Sequence, residues 1–445
     1  MTGATPSRDR GLAAWREARY ADALDHARAW IAAEPRSPQA HQLADQAMAR
    51  LGDPAGAARS YESAESLGGD VACAFNAGNA WMAAGDPGRA AAAWRRAAGG
   101  ADALGKHALA LGKALATAGE RELAARVLVS LARRDPSAYA AMRAVVDLAA
   151  ADRGAAATAL SLEAPGPLAP PSLFSFVVCS IDEEKFAALS RTIATRFAGV
   201  PHEVVRIPDA TSLCEGYNRG FARSRGDAVV YCHDDIDLLA PDAAPRLARH
   251  LTHADFVGVA GATRVTGPAV FWAGHPWLHG WVTYHAPGDA DYEVTAMSLD
   301  APLVTGIAAL DGVFVACRRD AAAAVPYDEA TFDGFHLYDL DVSYRAHRAG
   351  FRLAVACDLG IVHESKGDFG AEWSRYAARF RTKFPELSAA QGSPHFYAAR
   401  VPTAADVLAT QRRLAEIAAG QGRRIPARTP PGPRRMRGET HPGVP

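Results

Sequence analysis

Residues 226–237 read GDAVVYCHDDID, an apolar run that ends in closely spaced acids. The run Ala228–Cys232 predicts a buried strand, which places Asp234 and Asp235 at its carboxyl end. Acids packed together repel one another and favour protonation unless a cation lies among them. A hard divalent ion such as Mg²⁺ or Mn²⁺ prefers carboxylate oxygens together with the phosphate oxygens of a substrate. The stretch therefore indicates a metal site, with an acidic surface loop that caps the next helix as the alternative.

The sequence around this stretch, from Leu173 to about Pro385, alternates strand-like and helix-like patterns. Such alternation implies an α/β sheet with covered faces. In sheets of this kind ligands bind at the carboxyl ends of the strands, so functional residues are expected directly after strand runs. The predicted strands are 174–179, 203–207, 228–232, 256–261, 313–317 and 353–356, and the predicted helices are 183–197 and 216–224.

The segment from Tyr217 to Ile236 resembles the inverting GT-A glycosyltransferases of family 2. The pattern of that family is a helix with Asn-x-Gly, a short glycine turn, and a strand that closes in Asp-x-Asp. The resemblance implies a transferase that uses a nucleoside diphosphate sugar as donor and Mn²⁺ or Mg²⁺ as cofactor. Such an ion neutralises the diphosphate leaving group as its bond breaks. Asn218 falls in the helix pattern and is assigned to the nucleotide sugar.

Three residues of this chain occupy the Asp-x-Asp positions, namely His233, Asp234 and Asp235. The resemblance implies that Asp235 binds the metal ion and that His233 and Asp234 contact the nucleotide sugar. Histidine at the first position departs from the family pattern, although histidine is itself able to bind Mn²⁺. The literal Asp-x-Asp of Asp235 and Asp237 is a second registration, and both registrations stay open.

Two earlier loops match the same family in the expected order. The first predicted strand ends before Ser180, Asp182 and Glu183, in the loop with which the family holds the nucleotide base. The second predicted strand ends before Asp209, where the family places an acid that reads the base or the ribose. A carboxylate there can accept hydrogen bonds from ring N–H groups or ribose hydroxyls. The resemblance therefore assigns these four residues to nucleotide binding.

Later tracts imply a catalytic base and a further metal ligand. An inverting transfer needs a carboxylate that takes the proton of the acceptor hydroxyl, and the family's base aligns with Asp339. Asp341, the helix-start acid beside it, can instead cap the helix. His363 follows the last predicted strand and is expected to complete the metal shell or to touch the diphosphate. The pairs Thr305-Gly306 and Asp311-Gly312 are expected to line the sugar pocket.

The first part of the chain, about residues 8–150, is alanine-rich and helix-forming, and its pattern repeats. A small residue suits the close crossing of two helices, and a large apolar residue four positions later, such as Trp94 or Leu128, fills the groove. The pattern resembles the tetratricopeptide repeat in roughly four units that stack to bury their faces. A generic alanine-rich helical bundle is the alternative. The repeated small residues, spaced by 34, 33 and 34 positions, are Ala23, Ala57, Ala90 and Ala124.

The predicted fold is thus an α/β GT-A domain preceded by an all-α tetratricopeptide-like solenoid. Residues 271–281 are rich in Trp and His and predict either aromatic contacts with a sugar or plain core packing. The predicted boundaries are 8–160 for the helical repeats, 161–172 for a stiff Pro-rich linker, 173–400 for the GT-A domain and 420–445 for a disordered Pro/Arg-rich tail.

The composition limits partners and location. The formal net charge is -1, whereas a general nucleic-acid binder needs a clear basic excess, so no nucleic-acid partner is expected. Residues 1–19 lack an apolar signal segment, and the longest run without a formal charge, 265–288, contains prolines and glycines that a lipid-facing helix does not accommodate. We expect a cytoplasmic protein without a transmembrane span, with peripheral attachment to the inner face of the membrane as an option.

The resulting hypothesis is a glycosyltransferase that moves a sugar from a nucleoside diphosphate sugar to an acceptor hydroxyl, with inversion and with a divalent metal ion. The repeats suggest a protein acceptor, or a glycan acceptor brought by a protein partner that binds the repeats. The alternative is a non-catalytic interaction scaffold with a degenerate glycosyltransferase domain, which the departure at His233 motivates. The sequence does not identify the sugar or the nucleotide base.

Overall fold

The protein is described by a computed structural model that divides into two compact units, Met1–Leu148 and Ala149–Pro445. The predicted tail 420–445, the beginning of the predicted linker, and the part of the aromatic tract from 271 to 276 lie outside the described residues. The structure describes residues 4–135, 138–151, 164–268, 277–286, 291–299, 302–367, 369–387 and 397–419.

The first unit consists of helices joined by short turns. Several helices begin with an Asp or Ser whose side chain accepts a hydrogen bond from a free backbone N–H of the first turn, as Asp53 does from Gly56 and Asp86 from Arg89. The described helices are α1 (Ala4–Arg16), α2 (Tyr20–Ala33), α3 (Pro38–Arg50), α4 (Pro54–Ser66), α5 (Val71–Ala83), α6 (Pro87–Ala98), a 3-10 helix (Ala101–His107), α7 (Ala108–Thr117), α8 (Arg121–Arg134) and α9 (Tyr139–Ala150).

The repeat pattern predicted from the sequence is confirmed in these helices. The repeated alanines Ala23, Ala57, Ala90 and Ala124 are fully buried. In the pair formed by α5 and α6, a side chain at Gly78 would overlap the ring of Trp94. In the pair formed by α7 and α8, a Cβ at Gly112 would lie 2.5 Å from Leu128. Each large residue therefore occupies the space that the missing side chain leaves, which is the small-against-large packing that the repeat requires.

The close approach at Gly78 predicts the effect of adding one methyl group. Gly78→Ala gains helix propensity of about 1 kcal/mol, but the new group meets Trp94, which is only 3% exposed and has little room to move. Overpacking costs about 1–3 kcal/mol, so the full-length variant should unfold at a lower temperature than wild type in a calorimetric scan.

Gly88→Ala is the matched control, because the nearest atom to a Cβ at Gly88 lies 3.6 Å away. This variant should melt at the wild-type temperature or above it. A Gly78→Ala protein that melts as high as Gly88→Ala would contradict the packing described for α5 and α6.

The second unit is an α/β domain with two sheets. Its described strands and helices, in chain order, are β1 (Phe174–Cys179), α10 (Glu183–Arg196), β2 (His202–Ile207), α11 (Leu213–Arg223), β3 (Ala228–Cys232), β4 (Ile236–Leu238), α12 (Ala243–His250), β5 (Phe256–Gly258), β6 (Ala260–Ala262), β7 (Leu278–His285), β8 (Tyr292–Ala296), β9 (Leu303–Ile307), β10 (Ala309–Leu310), β11 (Phe314–Arg318), α13 (Arg319–Ala324), α14 (Tyr338–Arg348), β12 (Leu353–Ala356), β13 (Ile361–His363), α15 (Ala371–Lys383), β14 (Tyr397–Val401) and α16 (Ala404–Ala419). The first sheet has the order β2-β1-β3-β11-β5-β12-β9, and the second has the order β10-β6-β7-β13-β4, with β8 lying between β7 and β14.

Strands β1, β2 and β3 are parallel, so their carboxyl ends lie at one edge of the first sheet. Strand β11 runs antiparallel between β3 and β5. The predicted single strand 256–261 is wrong, because the chain leaves the first sheet after β5 and enters the second sheet as β6. Residues on both sides of this crossing are apolar and buried, so the hydrophobic pattern carries no sign of the change.

The described part of the predicted linker is attached to the second unit. The backbone N–H of Gly166 donates to Thr252 Oγ1 (2.6 Å), and that of Leu168 donates to the Thr252 carbonyl (3.0 Å). The guanidinium of Arg318 donates to the carbonyl of Ala169 (2.9 Å). Residues from Gly166 to Ala169 are therefore hydrogen-bonded to this unit.

The unit also extends beyond residue 400, the predicted end of the GT-A domain, since Val407 of α16 is fully buried.

Among the described residues, no helix combines the length and the apolar character that crossing a membrane requires.

Candidate functional site

The end of β3 and the end of β13 bring together three side chains of types that can bind a metal ion. Strand β13 pairs antiparallel with β4, and His363 lies opposite Ile236, directly after Asp235. The backbone N–H of Glu364 donates to the carbonyl of Asp235 (3.0 Å), which extends this pairing. His233 follows β3, and its backbone N–H donates to Val313 at the start of β11 (3.1 Å). Backbone pairing therefore sets the positions of all three side chains.

The donor cluster consists of His233, Asp235 and His363, and one ligand atom from each lies within 4.8 Å of the others. His363 Nε2 is 3.3 Å from Asp235 Oδ1 and 3.3 Å from His233 Nδ1. His233 Nδ1 is 3.9 Å from Asp235 Oδ1. Metal–nitrogen bonds of about 2.1 Å hold neighbouring ligand atoms about 3.0–3.4 Å apart, so one ion fits between these atoms after a small adjustment.

The electrostatics of the donor cluster also suit a cation. Burial alone would raise the pKa of Asp235, but hydrogen bonds from His363 and Ser365 and the nearby imidazoles outweigh it and hold that pKa well below its usual range. Burial and the neighbouring His363 lower the pKa of His233. An ionised carboxylate beside a neutral imidazole is the protonation state that metal binding needs. Two nitrogens and one oxygen suit Mn²⁺ and other transition ions better than Mg²⁺.

The predicted base Asp339 lies in the first turn of α14. One carboxylate oxygen, Oδ2, accepts a hydrogen bond from the backbone N–H of Gly312 (2.9 Å). A side chain at Gly312 would collide with the Tyr338 hydroxyl and would lie 2.9 Å from Asp339 Cβ, so this close approach requires glycine. Leu337, just before α14, has a left-handed backbone with φ of 60°, an unusual conformation for leucine. The chain therefore holds Asp339 in a tightly determined position.

Asp339 is hard to ionise in this position. Burial, and then the negative charge of Asp311, raise the pKa of Asp339 to about 7, while backbone N–H groups around it lower the pKa by less. An acid with a pKa near neutrality can exchange a proton under ordinary conditions, which general acid–base catalysis requires.

A cavity of about 550 Å³ is lined both by Asp339 and by members of the donor cluster. Its walls include Asp339, Asp311, His233 and His363, and aromatic and aliphatic side chains surround them. These surrounding residues include Tyr284, Met297, Phe335, Phe369 and Trp373.

A second cavity of about 440 Å³ lies against Asp235 and is more polar. It is lined by Asp234 and Asp237 and by the cationic residues Lys185, Arg191 and Arg196 of α10. The donor cluster thus contributes to both cavities, His233 and His363 to the first and Asp235 to the second.

The second registration of the acidic motif is not favoured by the structure. Asp237 Oδ1 accepts a hydrogen bond from Thr192 Oγ1 of α10 (2.8 Å), which fastens β4 to that helix. Asp237 is not part of the donor cluster, whereas Asp235 is. Asp234 lines the second cavity and also lies outside the donor cluster.

The residues predicted for the nucleotide base make contacts within the chain. Asp182 caps α10 by accepting from the backbone N–H groups of Glu184 and Lys185 (2.9 and 3.0 Å). Glu183 Oε1 pairs with Arg206 (2.6 Å). Ser180 Oγ donates to the carbonyl of Asp182 (3.0 Å). These contacts shape the loop after β1, and the roles of the three residues in nucleotide binding stay predictions.

Asp209 and Asn218 also have partners, and their nucleotide roles likewise stay predictions. Asp209 pairs with Arg219 (2.9 Å). The Asn218 side chain donates to the Tyr327 carbonyl (2.9 Å) and accepts from the Tyr327 N–H (3.0 Å), which fixes the loop after α13. Asp341 does not cap α14, because its carboxylate binds Arg345 (2.8 Å).

Two residues near the donor cluster were not singled out by the sequence patterns. The Tyr338 hydroxyl lies 2.9 Å from His233 Nε2, and the backbone N–H of Ser365 donates to Asp235 Oδ2 (3.2 Å). Both are neighbours in sequence of residues that were predicted, Asp339 and His363. Asp311 and Gly312 line the first cavity, as expected of residues in a pocket, whereas Thr305 and Gly306, named with them, are not among its lining residues.

Together, fold and site define an α/β domain that carries a candidate divalent-metal centre and a candidate general base on one cavity. Residues 175–383 match the model of a glycosyltransferase-like family. The predicted fold class, a GT-A domain after a tetratricopeptide-like solenoid, is confirmed. No curated protein matches the chain.

Several solved structures are similar to a part of this chain. The mannosyltransferase PcManGT from Pyrobaculum calidifontis, solved with GDP-Man and Mn²⁺, is 13% identical and aligns over 59% of this chain and 77% of its own, with a TM-score of 0.30. The protein MamA is 16% identical over 33% of this chain and 80% of its own, with a TM-score of 0.29. YrrB, a TPR protein with an unusual peptide-binding site, is 16% identical over 34% and 79%, with a TM-score of 0.30. Such distant likenesses carry no argument about activity.

The raised pKa of Asp339 predicts a pH-dependent effect on stability. Because the folded state holds the Asp339 proton more tightly than the unfolded chain does, wild type loses stability as pH rises from about 4 to about 7. Asp339→Asn cannot ionise and escapes this loss. The melting temperature of the variant relative to wild type, measured in chelator, should therefore be higher at pH 8 than at pH 5.

Asp320→Asn is the control, because the Asp320 side chain is 84% exposed. Its melting temperature relative to wild type should be the same at both pH values. An Asp339→Asn difference that does not change with pH would mean that Asp339 ionises normally in the folded protein.

Proposed function

We propose that this chain transfers a glycosyl group from a nucleoside diphosphate sugar to an acceptor hydroxyl, with inversion and with a divalent metal ion. The observation that carries the proposal is the shared cavity, which has Asp339 on one wall and two members of the donor cluster on another. The match of residues 175–383 to the model of a glycosyltransferase-like family supports glycosyl transfer as the reaction class.

Asp339 acts as the base in this proposal. It lines the cavity with one oxygen held by the Gly312 N–H, and its carboxylate accepts the proton of the acceptor hydroxyl. A pKa of about 7 lets Asp339 take this proton near neutral pH and release it after transfer. The apolar side chains around it exclude water, which would otherwise compete with the acceptor for the sugar.

The donor cluster holds the metal ion through His233, Asp235 and His363. A bound divalent ion supplies positive charge that stabilises the leaving diphosphate. The low pKa of Asp235 keeps its carboxylate ionised at working pH, and its contact with Ser365 fixes the direction of the oxygens. The nitrogen ligands favour Mn²⁺ over Mg²⁺ in this role.

The acceptor is a protein or a glycan, and the helical repeats supply a surface through which a protein partner can bring it. Ser180, Asp182, Glu183, Asp209, Asn218 and Asp234 remain the proposed contacts of the nucleotide sugar.

The role of Asp339 is tested by its removal. In Asp339→Asn the base is lost while the size of the side chain is kept, so the turnover number should fall about 10²–10⁴-fold. The assay measures release of the nucleoside diphosphate from a panel of nucleotide sugars in Mn²⁺, with and without candidate acceptors. In wild type the turnover should rise with pH through about 7, because the base must be ionised.

Asp320→Asn should retain wild-type turnover in the same assay, since the Asp320 side chain is 84% exposed. Equal turnover in wild type and Asp339→Asn would refute the mechanism with Asp339 as base.

The metal site is tested without any substrate. Equilibrium dialysis should show that wild type binds Mn²⁺ more tightly than Mg²⁺. His363→Ala and Asp235→Asn should weaken Mn²⁺ binding by more than about tenfold, because even the loss of a residue outside the ligand set costs that much. His336→Ala is the matched control, since His336 lines the same cavity but is not in the donor cluster.

Calorimetry with nucleoside diphosphates then separates the enzyme from the scaffold. Binding of the diphosphate that depends on Mn²⁺ supports the enzyme. A wild-type protein that binds neither Mn²⁺ nor a nucleoside diphosphate would overturn the proposal in favour of the non-catalytic scaffold.

A further inference from the structure

The two nitrogens of His233 face different partners. Nε2 lies 2.9 Å from the hydroxyl of Tyr338, whereas Nδ1 faces His363 Nε2 (3.3 Å) and Asp235 Oδ1 (3.9 Å). The ring is therefore held between a phenol on one side and the other two members of the donor cluster on the other. Tyr338 as a whole is only 5% exposed.

The position of the proton on His233 decides whether it can bind a metal ion. A neutral imidazole carries one N–H, and the other nitrogen offers the lone pair that a metal ion needs. In this site the lone pair must be on Nδ1, since Nδ1 faces the donor cluster. The proton must then be on Nε2, where it needs an acceptor. The Tyr338 oxygen is placed to be that acceptor, and such partners fix the tautomer of metal-bound histidines.

The place of the Tyr338 hydroxyl is itself fixed by packing. The ring lies against Tyr217 and Tyr327, with centroid distances of 5.9 and 6.2 Å. The Tyr338 hydroxyl lies so close to the backbone of Gly312 that any side chain at position 312 would collide with it. The Tyr338 oxygen therefore has little freedom to leave His233.

We propose that Tyr338 is a positioning residue that holds His233 with a free Nδ1 lone pair and so sets the affinity of the donor cluster for a divalent ion. The proposal rests on the metal site of the proposed function. It also connects that site to the base, because Tyr338 directly precedes Asp339 in the first turn of α14. The histidine that departs from the Asp-x-Asp pattern thus has a specific partner on the helix that carries the base.

The first test removes only the hydroxyl. In Tyr338→Phe the His233 Nε2–H would face a phenyl ring without an acceptor, so Mn²⁺ affinity should fall about 10–100-fold. The measurement is the free Mn²⁺ signal in electron paramagnetic resonance, with no nucleotide or acceptor present. Melting temperatures recorded in chelator check that the variants are folded.

Tyr327→Phe is the matched control, because it removes the same atom from a neighbouring ring of the same tyrosine cluster, and the hydroxyl that His233 contacts is that of Tyr338. This variant should keep Mn²⁺ affinity within about threefold of wild type, well short of the loss expected for a lost ligand partner. Equal losses in the two variants would overturn the proposal, since general loosening of the tyrosine cluster would then explain the result.

A double-mutant cycle shows whether Tyr338 acts through His233. If it does, Tyr338→Phe weakens Mn²⁺ binding in the wild-type background but has no further effect in His233→Ala. The same loss in both backgrounds would overturn the proposal. A wild-type protein that binds no Mn²⁺ would instead overturn the metal site itself, whereas tight binding that Tyr338→Phe leaves unchanged overturns only the role of Tyr338.

A second measurement uses wild type alone and does not depend on how well a variant folds. With ¹⁵N-labelled histidine and diamagnetic Zn²⁺ as the probe, ring nitrogen shifts report which nitrogen of His233 carries the proton. The proposal expects a protonated Nε2 in the Zn²⁺-bound protein. A proton on Nδ1 would overturn it.

Discussion

The candidate site depends on the short antiparallel pairing of β13 with β4. This pairing sets His363 opposite Ile236, and its continuation from Glu364 to the Asp235 carbonyl fixes the residue next to it. Without it, two residues far apart in sequence would lie on separate loops, and an imidazole and a carboxylate on separate loops would have to give up conformational freedom each time an ion bound. A backbone ladder makes that loss part of folding, so the donor atoms are already close together before any ligand arrives.

The site contains two carboxyl groups whose surroundings act in opposite directions. Asp235 is surrounded by hydrogen-bond donors and imidazoles that stabilise its negative charge. Asp339 lies among apolar side chains and near Asp311, and both disfavour its charge. One acid thus stays ionised and suits a permanent electrostatic role, while the other can gain and lose a proton near neutrality. The sequence predicts both acids as site residues, but only their surroundings in the folded chain make the pKa of Asp235 low and that of Asp339 high.

Much of the architecture could be predicted from local patterns, because those patterns reflect local physics. The strand 228–232 is apolar at every position because all of it is buried, and the alanines of the repeats recur regularly because each is buried in its repeat. His363 was named from its place after the predicted strand 353–356, and in the structure it is the last residue of a further strand, β13. The contact between His233 and Tyr338 was not predictable, because it joins residues 105 positions apart through packing that no spacing reveals. The crossing between β5 and β6 was missed for a related reason, since residues buried in either sheet look alike.

Leu337 shows how such a site constrains the evolution of its own stability. Its left-handed backbone is one that glycine would adopt at lower cost, but its side chain is 95% covered and contributes to the core. A leucine in this conformation gives up roughly 1–2 kcal/mol, at the residue that leads into the turn carrying Tyr338 and Asp339. Glycine at this position would relieve that cost, but it would also loosen the turn that holds Tyr338 and Asp339. A gain of stability at this position would therefore come at the expense of the geometry of the candidate site.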